Sequence, residues 1–160
     1  MAPPQTFKEQ NREFQELVRE LLLVRKHNLT FKPGDPQDAV LMFAEAALVL
    51  TAMERFLRIV LRAEATDSDT LPNLLEKATS GRLDLIRFHP GTNRTDAIKR
   101  IKDVRNTLLH GNYEQAARQA GCNTTAEYFQ RQFAPEIETL FQLLDGMVQQ
   151  IDTETGLRRA

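Results

Sequence analysis

The stretch Asp35-Pro36-Gln37-Asp38-Ala39-Val40-Leu41-Met42-Phe43-Ala44-Glu45-Ala46-Ala47-Leu48-Val49-Leu50-Thr51-Ala52-Met53 decides the fold. Asp35 as N-cap accepts from the free amides of a first helical turn, and Pro36 at the first position lacks an N–H that would be orphaned there. Beyond it Val40, Phe43, Ala47, Leu50 and Leu57 recur at helical spacing, and Met42, Ala46, Val49, Met53 and Val60 widen the apolar face well past one stripe. A surface helix needs one stripe only. This helix, expected to reach about Ala65, is therefore either the centre of a bundle or partly buried against another subunit, and the two readings are compatible. Glu45 interrupts the apolar run from Ala39 to Met53, and the run is shorter than the roughly 20 residues of a membrane span, so it reads as a buried helix.

On either side the signals are helical too. Thr6 and Glu9 form a T-x-x-E capping box before Phe14, Leu17, Val18, Leu21 and Leu22, predicting a helix to about His27. Phe31 to Pro36 is turn chemistry, and Thr66-Asp67-Ser68-Asp69 is a polar loop. Thr70 is expected to cap a shorter helix over Leu71 to Ser80, with Pro72 in its first turn and Gly81 as its stop. The interval from Arg87 to Asn93, with His89-Pro90-Gly91, reads as loop. Thr95 is expected to cap a helix from Asp96 to about His110, with Gly111 as a left-handed stop. Thr124 and Glu127 make another capping box, and the last helical stretch reaches about Gln150, broken or kinked near its start by Pro135. No run alternates with period two for long enough to propose a sheet, and there is no internal repeat or linker. The fold class is all-α: one domain over 1–160, with tails at about 1–5 and 152–160.

Composition bounds the function. With 160 residues, 41% hydrophobic and 27% charged, the chain can build one core and has no room for a second catalytic domain. A net charge of −1 argues against a whole surface that binds nucleic acid, so any phosphate affinity must be local. The single cysteine, Cys122, cannot pair internally and has no partner histidine at a telling spacing. No basic-then-apolar leader opens the chain, so a cytoplasmic location is expected and the sequons at Asn28, Asn93 and Asn123 are incidental. No membrane association is expected. His27 and His89 fall at helix-end and loop positions and read as solvated. Neither a paired Cys/His spacing nor a carboxylate cluster suggests a metal, and no cofactor is expected.

The chemistry-bearing segment is Arg105-Asn106-Thr107-Leu108-Leu109-His110-Gly111-Asn112-Tyr113. Arginine offers a permanent planar charge that matches phosphate oxygens, and histidine near neutral pH can take or give a proton. It ends a basic stretch in which Arg82, Arg87, Arg94, Lys99, Arg100, Lys102 and Arg105 face only Asp84, Asp96 and Asp103, whereas Gln132 to Gly156 has no Lys or Arg. A near-neutral chain is then electrically lopsided, with Lys99, Lys102 and Arg94 as candidate RNA contacts. On a helix turning about 100° per residue, Ala97, Ile101, Val104 and Leu108 form the core face and Arg105 lies at its margin. His110 stands about 140° from Arg105, whereas Asn106 and His110 share a polar face. One helix does not aim both groups at one phosphate: either the chain unwinds at His110, or a second copy completes the site. The plain structural reading stands beside this one: Arg105 pairing with a core-edge carboxylate, His110 capping carbonyls, and a solvated basic face.

Arg105-Asn106-x3-His110, followed by Gly111 and Tyr113 in an apolar helical frame, resembles the R-x4-6-H motif of HEPN domains, small all-helical proteins many of which are metal-independent ribonucleases. The resemblance extends less specifically over most of the chain. It implies a bundle of about four to six helices with an up-and-down core. It also implies a homodimer in which two motifs face each other across the interface and form one composite cleft. In such a cleft His110 acts as general acid-base, Arg105 holds the scissile phosphate, Asn106 orients His110 or binds phosphate, and Tyr113 stacks on a base or contacts phosphate. The products carry 2′,3′-cyclic phosphate ends. Small single-domain members often serve as toxins or defence effectors, so an antitoxin or other protein partner is an expectation. The closest toxin subgroup carries R-x4-H-x-Y, whereas here both Gly111 and Asn112 separate His110 from Tyr113. This departure weighs against carrying over that subgroup's control, in which an antitoxin modifies the tyrosine. The alternative is a non-catalytic module of the same kind that binds a protein partner or a nucleotide.

Overall fold

Thr6 and Glu9 close their capping box reciprocally: the Thr6 amide donates to Glu9 Oε2 at 3.0 Å and the Glu9 amide to Thr6 Oγ1 at 3.2 Å. Helix α1 (Phe7–Asn28) starts there as its sequence predicts. The computed structural model describes residues 6–28, 36–80, 82–88, 91–110, 113–152 and 157–159. The expected cap at Asp35, the stops at Gly81 and Gly111, and His89-Pro90 lie outside them. Helix α2 spans Pro36–Leu61 and tightens into a 3-10 turn at Arg62–Glu64. Arg62 there has φ +54°, a left-handed conformation that ends the α-helix one turn before the expected Ala65.

Helix α2 is the centre of the bundle, packing against α1, α3 (Leu71–Thr79), α4 (Arg94–His110) and α7 (Ala134–Gln149). Of its two expected faces, the Met42, Ala46, Val49, Met53 and Val60 side is buried throughout. On the other, Leu50 and Leu57 are buried while Phe43 is only partly so and Ala47 is exposed. The partners supply Phe14 and Leu21 from α1, Leu74 and Leu75 from α3, Ile101 from α4, and Ile137 and Leu140 from α7. At roughly 25 cal/mol per Å² of apolar surface, this shared core is what holds the helices in place.

Two caps differ from expectation. Asn93, not Thr95, caps α4: its Oδ1 accepts the Asp96 amide at 3.0 Å, which moves the helix start back to Arg94. Thr70 has the extended backbone of an N-cap, but its side chain makes no capping hydrogen bond to α3, and Pro72 occupies the first turn as expected. Between the motif and Thr124 a short helix α5 (Tyr113–Gln119) forms where none was expected, its run of Glu, Gln, Ala and Arg having no breaker. Thr124 Oγ1 accepts the Glu127 amide at 3.1 Å, as expected of that capping box, while Glu127 reaches the Asn123 amide instead of Thr124's own. Helix α6 (Thr125–Tyr128) then passes through a π-helical segment, Phe129–Phe133, into α7. Pro135 explains that wide turn, because it lacks the N–H of a regular ladder and its ring crowds the preceding turn.

Among the described residues there is no strand, only an isolated antiparallel bridge between Ile151 and Arg158. Its Arg158 side lies within the stretch expected as a tail, 152–160. The Arg159 amide donates to Gln150 O at 2.6 Å, and Arg158 reaches both the carbonyl and the carboxylate of Asp84. Described residues 157–159 are thus docked. No helix among the described residues is long and apolar enough to cross a membrane.

Candidate functional site

Helix α4 carries the candidate site, and its burial follows its sequence. Ala97, Ile98, Ile101 and Val104 are buried, Leu108 packs partly against the core, and Lys99 and Lys102 are exposed. Arg105 and Asn106 are half-buried. The helix runs unbroken to His110, so unwinding at that residue does not occur and the expected separation of about 140° between positions 105 and 110 stands. The side chain of His110 lies outside the described residues.

The basic stretch divides into cations that are engaged and cations that are not. Arg87 holds Asp84 through two hydrogen bonds, at 3.1 and 2.6 Å, and Arg82 lies 3.9 Å from Glu64. Arg94 donates from Nε to Thr79 Oγ1 at 2.7 Å and from its terminal nitrogen to Glu76 O at 3.1 Å, so it ties the start of α4 to the end of α3. Arg100 sits 3.2 Å from a carboxylate oxygen of Glu136. Lys99, Lys102 and Arg105 make no ion pair among the described residues. Positions 99, 102 and 106 follow one another by three and four residues and share the outer face of α4, with Arg105 on its border. The structure therefore brings Lys99, Lys102 and Asn106 into one strip beside Arg105 and assigns Arg94 to helix packing.

Tyr113 opens α5 with its ring stacked on Phe43 of α2, centroids 4.1 Å apart and planes 28° from parallel. Phe43 in turn meets Phe133 at 5.1 Å, so one face of the Tyr113 ring belongs to an aromatic cluster.

Two polar places went unread in the sequence. Glu45, 4% exposed, accepts from Arg25 at 3.3 Å and from Asn28 Nδ2 at 2.9 Å. Arg25 also pairs with Glu138 at 2.5 Å and lies 4.0 Å from the centre of the Phe141 ring, which staples α1, α2 and α7 together. The Gln142 amide, then Arg25, holds the Glu138 carboxyl below its ordinary range. The lone Glu in an apolar run was the available signal for this network. The second place is a cleft of about 350 Å³ between α4 and the α6–π–α7 segment, bordered by Lys99, Asp103, Thr107, Tyr128, Gln132 and Glu136 among others. Burial, then Glu136, pushes the Tyr128 hydroxyl above its ordinary value, against a hydrogen bond with Thr107 that lowers it. Residues this far apart in sequence give no shared pattern, so nothing in the chain announced it. Among the described residues no group of three or more His, Cys, Asp or Glu is placed to hold a metal ion.

Comparison of the chain with protein-family models, with curated proteins and with solved structures returned no significant match.

Proposed function

We propose that this chain is a HEPN-like, metal-independent endoribonuclease of the cytoplasm, acting as a toxin or defence effector, whose site is completed by a second copy. The observation that carries the reading is Arg105: a partly exposed arginine on the margin of the core, with no carboxylate partner among the described residues. An arginine at a core edge packs its stem while its head reaches solvent, and a head with no carboxylate beside it is open to an anion. A phosphate supplies the missing anion. Beside it, Lys99 and Lys102 give a short cationic strip along which an RNA backbone can lie.

In the reaction His110 takes the proton of a ribose 2′-hydroxyl, whose oxygen attacks the adjacent phosphorus, or protonates the leaving 5′-oxygen. Arg105 stabilises the charge that builds on the phosphate oxygens, and Asn106 orients His110 or the phosphate. The bond broken is P–O5′, and the new P–O2′ bond closes the 2′,3′-cyclic phosphate. Positions 105 and 110 diverge on an unbroken helix, so two chains related by a two-fold axis each contribute to one cleft.

The test is incubation of the purified protein with total and transfer RNA in excess chelator, followed by end-group analysis and light scattering. Cleavage to cyclic phosphate ends by a dimer is expected. Intact RNA would favour the second reading, a non-catalytic module, for which the divergence of the two motif positions within one chain also speaks.

A further inference from the structure

Two leucines near the end of α1 face solvent. Leu22 is 48% and Leu23 68% exposed, and both lie within a turn of Arg19 and Lys26. Arg12 and Gln15 continue the same face, so the strip carries three cations, and Glu16 and Glu20 border it only on the side away from α7. Arg12, Arg19 and Lys26 make no ion pair among the described residues. Arg25, three residues past Leu22, pairs with Glu138 and lies over the Phe141 ring, which sets the strip beside α7.

On the opposite flank of α7 runs a groove. Two cavities of about 500 and 590 Å³ share Gln142, Leu143 and Gly146 and open between α7 and the start of α4, with Phe88 at one end. Their surface is more apolar than polar. Gly146 is exposed within the groove, and a Cβ there would meet nothing within 4 Å. Glycine inside a helix is destabilising relative to alanine, and no contact within the protomer requires it at this position. What its missing side chain leaves room for lies outside the protomer. The free charges here are negative. Arg87 and Arg100 on the rim are held by Asp84 and Glu136, whereas Asp96 on the rim and Asp145 beside Gly146 make no ion pair among the described residues.

We propose that the leucine strip of α1 seats in this groove of a second copy of the chain. Leu22 and Leu23 fill the space above Leu143 and Gly146, and the strip's unpaired cations meet the unpaired Asp96 and Asp145. Strip and groove flank the outward ridge of α7 that carries Gln142 and Gln149, so a two-fold axis near that ridge seats both strips at once. The contact uses neither Arg105 nor His110. It is separate from the composite RNA cleft, chains using both contacts assemble beyond a dimer at high concentration, and either reading can fail while the other stands.

The test joins cross-linking to light scattering of the full chain. In a Cys122→Ala background, Leu23→Cys protein mixed with differently tagged Gly146→Cys protein is expected to link through a short bismaleimide, while neither variant links to itself. Leu23→Glu and Gly146→Leu should each weaken self-association at least about tenfold, as loss of a central anchor does. Gly146→Leu should also keep or raise the melting temperature of the diluted chain, since leucine favours a helix and its Cβ meets nothing. A fall in that temperature would make the glycine a requirement of the protomer and overturn the proposal. So would links only between identical positions, or association that both variants leave unchanged. A chain that stays monomeric in concentrated solution leaves the groove to a different protein, and the proposal fails.

Discussion

The Tyr113 ring lies 4.1 Å from that of Phe43, stacked upon it, so the aromatic residue that follows the motif joins α5 to the central helix. A stacked pair adds roughly 0.5–1.5 kcal/mol beyond the area it buries. Tyr113→Ala is therefore expected to lose about 1–3 kcal/mol, seen as several degrees in thermal unfolding, while Tyr113→Phe keeps the ring contact and most of the stability. If Tyr113→Phe instead leaves the melting temperature unchanged but sharply weakens RNA cleavage, the hydroxyl has a role at the phosphate and the packing assignment is incomplete.

Arg25 and Glu45 make a second stability test. With Glu45 only 4% exposed, truncating Arg25 leaves a buried carboxylate with Asn28 as its remaining partner. Arg25→Ala should cost roughly 3 kcal/mol, the usual range for breaking a buried pair. Arg25→Ala combined with Glu45→Met should recover much of that loss, because the double change removes the uncompensated charge. A double variant no more stable than the single one would show that Arg25 acts through Phe141 and Glu138 instead.

Acid should loosen the C-terminal segment. Hydrogen bonds from Arg87, with further help from Arg158, hold the Asp84 carboxyl down at about 2 against an ordinary 3.8. A carboxyl whose folded value is depressed contributes stability that is complete above its unfolded value and is lost as pH falls through the folded one. The carboxylate's share in docking residues 157–159 should thus persist at pH 5 and weaken between pH 3.8 and about 2, while the bonds to the backbone carbonyls of Asp84 and Gln150 do not titrate. Hydrogen exchange at the Arg159 amide, bonded to Gln150 O, reports this, with Ala46 in α2 as the reference for global opening. Asp84→Asn should flatten the pH response at Arg159, and an unaltered response would remove Asp84 as its cause.

Most of the fold was legible because its signals are local. The Thr6–Glu9 box, the breadth of the α2 apolar faces and the i, i+4 pattern of α4 each depend on residues a few positions apart. Where several local choices compete, local signals do not decide: Asn93 and Thr95 are both good caps, and tertiary ties from Arg94 to Thr79 and Glu76 favour the earlier start. The docking of Arg158 on Asp84 spans 74 residues, and the cleft joins α4 to residues some thirty positions on. No periodicity encodes such meetings. For the candidate site the residue types and their angular spacing are local properties of the sequence, whereas the partial burial of Arg105 and the engagement of its neighbouring arginines are set by tertiary packing.

The sharpest prediction concerns the motif itself. Arg105→Ala and His110→Ala should each lower RNA cleavage by ~10² or more, the usual worth of charge stabilisation and of acid-base help. Neither should unfold the protein, because Arg105 makes no ion pair among the described residues and both positions lie off the centre of the core face. Asn106→Ala should cost less, since water can partly replace an orienting group. Lys99→Ala and Lys102→Ala should weaken binding modestly and reduce its salt dependence by about one unit of slope each, leaving the cleavage chemistry intact. Arg94→Ala should act differently, loosening the α3–α4 junction and lowering the melting temperature without changing the salt slope. Kinetics on a defined RNA in chelator, paired with circular dichroism of each variant, separates these outcomes. Normal cleavage by His110→Ala would remove it from the chemistry. Loss of helical signal in both motif variants would mean that Arg105 and His110 hold the end of α4, and the proposed enzyme would then have no site there.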